Sequence, residues 1–187
     1  MTVAHRPDGT PPPRRVALLR GVNVGRAAQL SMSALIDVAR GLGWTELTTV
    51  LRSGNLLFRA SGYDEDLAAA LSVAIAAELR MDVAVVIRTG AQLRALIDQH
   101  PFASGDPART VIACADRELD RATIDRLVAL ASGTEKLQVV GADVFAAFPD
   151  GQASSRLAAG MARVAAPAVL TARNLNTMVR LVELLES

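Results

Sequence analysis

Residues 48–59 read Thr-Thr-Val-Leu-Arg-Ser-Gly-Asn-Leu-Leu-Phe-Arg and have the pattern of a β-hairpin. The two ends, Thr48–Leu51 and Leu56–Arg59, are rich in β-branched and apolar residues, which favour strands. The segment between them, Arg52–Asn55, contains a Gly-Asn pair of the kind that forms tight turns. We therefore predict two antiparallel strands joined at Arg52–Asn55.

Strands and helices alternate on both sides of this hairpin. On the amino-terminal side, Val16–Leu19 is a short apolar strand, and the apolar residues of Met32–Leu42 recur at helical spacing. On the carboxyl-terminal side, the pattern predicts a helix over Leu67–Leu79, a strand over Val83–Ile87 and a helix over Leu93–Ile97. The first half of the chain therefore has the order β-α-β-β-α-β-α.

The second half repeats this order with different residues, so the repeat is one of pattern and not of sequence. Its hairpin is centred on Gly141–Asp143, where a Gly-containing turn joins two apolar runs. The predicted elements are a strand over Thr110–Ala115, a helix over Ile124–Ala131, strands over Leu137–Val140 and Val144–Phe148, a helix over Leu157–Val164, a strand over Ala168–Ala172 and a helix over Met178–Leu185.

This element order predicts an α+β protein made of two tandem ferredoxin-like βαββαβ(α) halves. Right-handed crossovers place the helices of each half on one face of an antiparallel sheet. We predict a disordered Pro-rich tail over residues 1–15, a first half over 16–101, a linker over 102–109 and a second half over 110–187. The pattern does not choose how the two halves pack.

The predicted topology brings two polar loops of the first half together. In a βαββαβ unit the first and second strands are parallel, so the end of the first strand and the turn after the second strand lie at the same end of the sheet. Arg20–Asn23 follows the first strand, and Arg52–Asn55 follows the second. We therefore expect these loops to be neighbours.

Three segments resemble the signatures of a bacterial family of proteins of unknown function, numbered 1697. They are Ala-Leu-Leu-Arg-Gly-Val-Asn-Val-Gly at residues 17–25, Arg-Ser-Gly-Asn-Leu at 52–56 and Thr-Ala-Arg-Asn-Leu-Asn-Thr-Met at 171–178. Their order and spacing fit the family over nearly the whole chain after the tail. The resemblance implies a fold and a shared surface, but no reaction.

The chain departs from the family pattern at places where members often carry a lysine, further basic residues or an aromatic ring. Here those places hold Arg156, the segment Arg26–Gln29 and Leu175. A function that requires a lysine amine or an aromatic platform there is therefore not expected.

Composition limits the classes of function. The chain has 187 residues, with 20 Lys and Arg against 19 Asp and Glu, a formal charge of +1. Proteins that bind nucleic acid without regard to sequence usually carry a larger positive excess, so nucleic acid is a candidate partner that the net charge does not favour. The sequence shows no signal segment or membrane span, and we expect a cytoplasmic protein. The single cysteine, Cys114, lies in an apolar run and is expected to be a buried thiol.

The residues that carry chemistry are cationic, amide and hydroxyl side chains in the three motifs, with no carboxylate among them. Such a set suits an anion or a polar planar group. Structural roles compete with this interpretation: Asn23 and Asn55 favour left-handed turns, and Asn174 or Thr171 is a helix-cap candidate. The candidate ligand-binding residues are Arg20, Asn23, Arg52, Ser53, Asn55, Arg173, Asn174 and Asn176, with Thr177 beside them.

No catalytic constellation is visible. His5 lies in the predicted tail, and His100 is expected to be a surface or capping residue at a helix end before Pro101. The sequence has no catalytic triad order, no metal-ligand spacing and neither of the common Gly-rich nucleotide loops, so we expect no metal and no cofactor. Aromatic residues are 3% of the chain, and the phenylalanines of the hairpin strands are candidates for the core, which disfavours RNA binding by base stacking.

Three hypotheses follow. The first is a cytoplasmic binding protein that holds an anionic ligand, such as a nucleotide, a nucleic-acid phosphate or a phosphorylated or carboxylated metabolite. The second is an enzyme that acts on a small phosphate- or carboxylate-bearing substrate with a base not identifiable from sequence. The third is a self-associating structural protein in which the motifs are turns and caps. The oligomeric state is not predicted.

Overall fold

The computed structural model describes residues 11–23 and 29–187, and these residues form an α+β protein with two four-stranded antiparallel sheets and six helices. In the first half the elements are β1 (Arg14–Leu19), α1 (Met32–Gly41), β2 (Thr45–Thr49), β3 (Asn55–Arg59), α2 (Asp64–Leu79), β4 (Val85–Thr89) and α3 (Gly90–Asp98). In the second they are β5 (Thr110–Ala115), α4 (Arg121–Leu130), β6 (Lys136–Val140), β7 (Asp143–Ala147), α5 (Arg156–Val164), β8 (Leu170–Asn174) and α6 (Leu175–Glu186).

The two sheets have the same strand order. The first runs β2-β3-β1-β4 and the second β6-β7-β5-β8, with every neighbouring pair antiparallel. The predicted order of strands and helices is therefore confirmed in both halves. Within the described ranges, no helix combines the length and the apolar character that crossing a bilayer requires.

Contacts divide the chain into two compact units at positions that the sequence does not mark. One unit contains the residues up to Gln92 together with Glu183–Ser187, and the other contains Leu93–Val182. The boundary lies within α3, whereas the expected linker over 102–109 is a series of turns inside the second unit. There the Gly105 N–H donates to the Phe102 carbonyl at 3.0 Å.

The core of the first unit lies between its sheet and the helices α1 and α2. Trp44 stacks on Phe58 with ring centroids 4.0 Å apart and an interplanar angle of 15°. Each large apolar side chain buried here stabilises the fold by about 1.5–3 kcal/mol. The buried residues contributed by the two helices are Leu35, Val38 and Ala39 from α1 and Leu67, Leu71 and Ile75 from α2.

The second unit packs α4 and α5 against its sheet in the same way. Leu127, Leu157 and Met161 lie against the buried face of β5 and β7. Gly160 of α5 allows close approach of α4, because a Cβ atom there would lie 3.0 Å from Leu130 Cδ1. Cys114 is fully buried in β5, as predicted.

Several element boundaries differ from the prediction: β4 and β8 each lie two residues later in the chain than predicted, and β1 and β2 differ as well. Arg14 and Arg15, assigned to the tail, belong to β1, where the Arg15 guanidinium is buried and pairs with Asp64 at 2.7 Å. Residues 1–10 of the predicted tail lie outside the described residues. β2 begins at Thr45 and contains an irregularity between Thr45 and Thr48, where Glu46 has a positive φ of 51°.

Candidate functional site

The end of β1 and the β2–β3 hairpin lie against each other, which confirms the predicted proximity of the first two motifs. The Leu19 N–H donates to the Gly54 carbonyl at 2.9 Å. The Asn23 side chain reaches the backbone of Arg52 at 2.7 Å. Two segments that are 29 residues apart in the chain are therefore joined by direct hydrogen bonds.

Asn23 connects three pieces of backbone. Its Nδ2 donates to the carbonyls of Arg52 (2.7 Å) and Leu30 (3.0 Å), and its Oδ1 accepts the Leu30 N–H (2.8 Å). Its φ of 56° is in the left-handed region that Asn tolerates well. Asn23 is thus a turn residue and a bridge, and its amide fixes the path of the chain leading into α1.

Gly54 permits the close approach of the two loops. Its φ is 75°, and a Cβ atom at this position would lie 2.3 Å from Val22 Cγ2 and 2.9 Å from Leu19 Cβ. No side chain fits at these distances without displacing β1 or the loop after it. The glycine in the second motif is therefore required by the contact with the first.

Asn55 does not have the left-handed turn conformation that the sequence suggested as its structural role. It is the first residue of β3 and is fully buried, and the positive φ values of the turn belong to Leu51 (59°) and Gly54 (75°). Its Nδ2 donates to the Val50 carbonyl (2.8 Å) and approaches Ser53 Oγ at 3.1 Å. Asn55 therefore supports the turn from inside, because a buried side chain needs such partners.

Among the residues that the structure describes, the exposed cationic groups of the site are Arg20 and Arg52. Both side chains are exposed, and within the described ranges neither forms an ion pair with an acidic residue. Arg52 Nη2 donates a long hydrogen bond, 3.3 Å, to Gln29 Oε1. Most of the Arg52 guanidinium donors therefore remain available to an anion. Ser53 lies exposed next to it.

The start of α1 adds a second source of positive potential. Ser31 occupies the N-cap position without making a side-chain cap, and its hydroxyl pairs instead with Ser33 Oγ at 2.7 Å. The first turn of α1 also has no acidic residue. By contrast, Asp120 caps α4 and Ser155 caps α5. Gln29–Ser33 and Arg52 line an open cavity of about 530 Å³ at this helix end.

The equivalent end of the second sheet carries carboxylates in place of the first unit's Arg20 and Asn55. Asp116 follows β5 as Arg20 follows β1, and Asp143 begins β7 as Asn55 begins β3. The Asp143 carboxylate accepts the Ala115 N–H at 2.9 Å, and the Asp116 carboxylate accepts the Val169 N–H at 2.8 Å. Asp116 is partly buried, which raises its pKa, but its hydrogen bonds from Arg117 and Val169 outweigh this and leave the pKa below its usual value. These two carboxylates stabilise the loops by accepting backbone N–H groups, and Asp116 is also paired with Arg117.

The third motif lies in the second unit. Asn174 caps α6, because its Oδ1 accepts the Thr177 N–H at 3.0 Å, while Thr171 lies within β8 and Asn176 is exposed. The Arg173 guanidinium donates to Thr171 Oγ1 (3.0 Å) and to the Ala172 carbonyl (2.8 Å). Burial lowers the pKa of Arg173 to about 10, which still leaves it charged at neutral pH.

His100 is buried and is not the surface or capping residue expected from the sequence. Its Nδ1 accepts the Phe102 N–H at 3.1 Å, so Nε2 carries the proton that faces the Val111 carbonyl at 3.3 Å. The ring meets Phe145 edge-on at 4.9 Å, and burial lowers the pKa of His100. The expectation failed because a sequence does not show that the Phe145 face covers this helix end.

The phenylalanines of the predicted hairpin strands are all buried. Phe58 and Phe145 are fully buried and Phe148 is 1% exposed, so none of the three forms a base-stacking platform. Within the described part of the chain, no group of three His, Cys, Asp or Glu side chains is placed to hold a metal ion.

The fold and this loop arrangement define an α+β protein with a cationic loop cluster on one of its two sheets. The chain belongs to the family described as protein of unknown function (DUF1697), whose sequence profile matches residues 13–145. No curated protein matches the chain significantly. A solved structure, "The structure of conserved bacterial protein SP0830 from Streptococcus pneumoniae", is similar with a TM-score of 0.74 and 20% identity, covering 94% of this chain and 99% of that one. This likeness concerns the fold alone.

Proposed function

We propose that the protein binds an anionic ligand at the loop cluster of the first unit, formed by Arg20–Asn23, Gln29–Ser33 and Arg52–Asn55. The ligand classes are a nucleotide, a nucleic-acid phosphate, or a phosphorylated or carboxylated metabolite. The observation that carries the proposal is the Asn23 bridge, which holds exposed Arg52 beside the uncapped start of α1.

The chemistry of the cluster supports an anion as the ligand. A planar guanidinium binds phosphate or carboxylate oxygens with two parallel hydrogen bonds. The free N–H groups at a helix start favour negative charge, and serine hydroxyls donate to the same oxygens. Ser31, Ser33 and Arg52 all line the cavity.

The residues divide into two roles. Arg52, Arg20 and Ser53 are proposed to contact the ligand, since their side chains are exposed. Asn23 and Asn55 are proposed to position the loops, because their amides are engaged in hydrogen bonds within them. Arg173 and Asn176 remain predicted ligand residues, and Asn174 serves the cap of α6.

The repeated strand order supports assigning each half to the ferredoxin-like type. Both sheets follow the order second-third-first-fourth strand, which βαββαβ units with right-handed crossovers adopt. We infer that the chain is a tandem of two such units, and that the loop cluster after β1 has kept anion chemistry in the first unit only.

The proposal is tested by thermal unfolding in the presence of inorganic phosphate, nucleotides and carboxylates. A ligand at a hundredfold excess over its Kd stabilises the folded state by about 2.7 kcal/mol. We expect Arg52→Ala to reduce this stabilisation strongly, while Arg121→Ala, which removes an exposed arginine of the second unit, leaves it unchanged. Equal stabilisation of both variants and the parent would contradict the proposal.

Three further readouts separate the alternatives. If the ligand is nucleic acid, binding falls steeply with salt, and Arg52→Ala reduces the slope by about one. Turnover of a stabilising metabolite would favour an enzyme, the alternative that the sequence leaves open. Unfolding of the Arg52→Ala variant without ligand would favour the structural alternative.

A further inference from the structure

The β6 strand forms an end of the second sheet, and its outer edge is open. Within the described part of the chain, no backbone hydrogen bond reaches Lys136–Val140 from outside the sheet. An unpaired edge of this kind is a template for another strand.

The β6–β7 hairpin shows which backbone groups face outward. A two-residue turn with Gly141 at φ 60° joins Val140 to Asp143, so these two residues form a hydrogen-bonded pair. Hydrogen-bonded and non-hydrogen-bonded pairs then alternate along the register. The N–H and C=O groups of Leu137 and Val139 therefore point away from β7.

An apolar surface, here called the apolar ledge, lies beside β6 on the face of the sheet that α4 covers. It is formed by Leu137 and Val139 of β6 and by Ile124 and Val128 of α4. Leu137 and Val139 are only partly buried against the core. Leu130 of α4 lies against Gly160 of α5, so the opposite flank of α4, which carries Ile124 and Val128, lies away from α5 and toward β6. Val128 is 52% exposed. A strand added at β6 would cover this ledge.

β2, one of the two outer strands of the first sheet, carries an irregularity that β6 lacks. β2 has a register shift between Thr45 and Thr48, and Glu46, which has a positive φ there, pairs with Arg59 at 2.7 Å. Bulges and charges of this kind block strand addition. β6 has an uninterrupted register from Lys136 to Val140.

We propose that β6 pairs antiparallel with β6 of a second copy of this chain, about a two-fold axis at Gln138. This register uses all the outward groups, because Leu137 of each copy exchanges both hydrogen bonds with Val139 of the other. The same apolar pairs extend the ledge, and the Gln138 side chains oppose each other on the exposed face. Lys136 stands opposite Val140 of the second copy, so no like charges meet.

The outer edge of β6 is self-complementary, which favours a second copy of this chain over a foreign peptide as the binding partner. An added strand needs apolar residues toward α4 and polar residues on the other face, and β6 has this alternation, with Leu137 and Val139 on one side and Lys136 and Gln138 on the other. The strand has five residues, so we expect the proposed interface to bury less than the roughly 1,200 Å² of a stable one. We therefore expect a weak dimer that forms at high concentration.

The test is sedimentation equilibrium of the full chain from low micromolar to millimolar concentration. Gln138→Lys and Gln138→Glu each place like charges across the two-fold axis, and we expect each to weaken dimerisation about tenfold at low salt. An equimolar mixture of the two variants restores association. Gln99→Lys, at an exposed position of the second unit, leaves the dimer unchanged.

A second variant tests the backbone contribution. Val139→Pro removes an N–H that faces outward, so it is expected to abolish dimerisation while retaining the β6–β7 ladder. A chain that stays monomeric at all concentrations would overturn the proposal. So would a dimer that is insensitive to both Gln138 variants, or an edge that pairs with a foreign extended peptide and not with itself.

Discussion

Asn23 and Gly54 show how single residues hold the candidate site together. Asn23 uses both N–H groups and the oxygen of its amide in hydrogen bonds within the first unit, and Gly54 allows Val22 and Leu19 to pack directly on the turn. The sequence predicted that the two loops meet, because topology requires it. It did not identify Asn23 as the bridge, since its partners Leu30 and Arg52 are set by the folded path of both loops.

Gly54→Ala is expected to destabilise the protein more than a positive φ alone explains. The new Cβ would collide with Val22 Cγ2 at 2.3 Å, in addition to the backbone strain at φ 75°. We expect a loss of about 2–4 kcal/mol in the free energy of unfolding, measured by urea denaturation.

Gly21→Ala is the matched control, because its φ is 66° and none of the described residues lies within 4 Å of the added Cβ. This variant is expected to lose only about 1–2 kcal/mol, the cost of the left-handed backbone. Equal losses in the two variants would show that contact between the loops contributes nothing at Gly54.

At the scale of elements, type and order were predictable and boundaries were less so. Apolar periodicity is a property of the sequence, and it located every strand and helix. The limits of β2 depend on Glu46 and Leu51, two residues in left-handed conformations that propensity disfavours. Glu46 is held there by ion pairs with Arg14 and Arg59, which a local pattern does not reveal.

The start of α1 has no side-chain cap. A substitution that adds a cap is therefore expected to raise the stability of the fold and to weaken anion binding. In Ser31→Asp the carboxylate is expected to accept a first-turn N–H, as Asp120 does in α4 at 2.6 Å. The free energy of unfolding should rise by about 0.5–1 kcal/mol, while phosphate binding measured by calorimetry is lost through charge repulsion.

Ser155→Asp is the control for this change, because Ser155 already caps α5 by accepting the Ala158 N–H at 2.9 Å. It is expected to change neither stability nor phosphate binding appreciably. If Ser31→Asp binds phosphate as tightly as the parent, the start of α1 is not part of the site.

At the scale of the whole molecule, the same order of strands and helices occurs twice, with different side chains at equivalent positions. The residue after the first strand is Arg20 in the first unit and Asp116 in the second, and the third strand of each sheet begins at Asn55 and at Asp143. The sequence allowed this comparison, because the repeat in element order is visible without sequence identity. The division of the chain within α3 was not visible, because it depends on long-range contacts and not on loop composition.

The most direct test of the anion site is an NMR titration of the arginine side chains with inorganic phosphate at constant ionic strength. The Nε–Hε resonances of Arg52 and Arg20 are expected to shift and saturate together. Those of Arg40 and Arg121, which pair with Asp37 and Asp125, should stay in place. Uniform small shifts of every exposed arginine, or none at Arg52, would contradict the proposal that these loops form an anion-binding site.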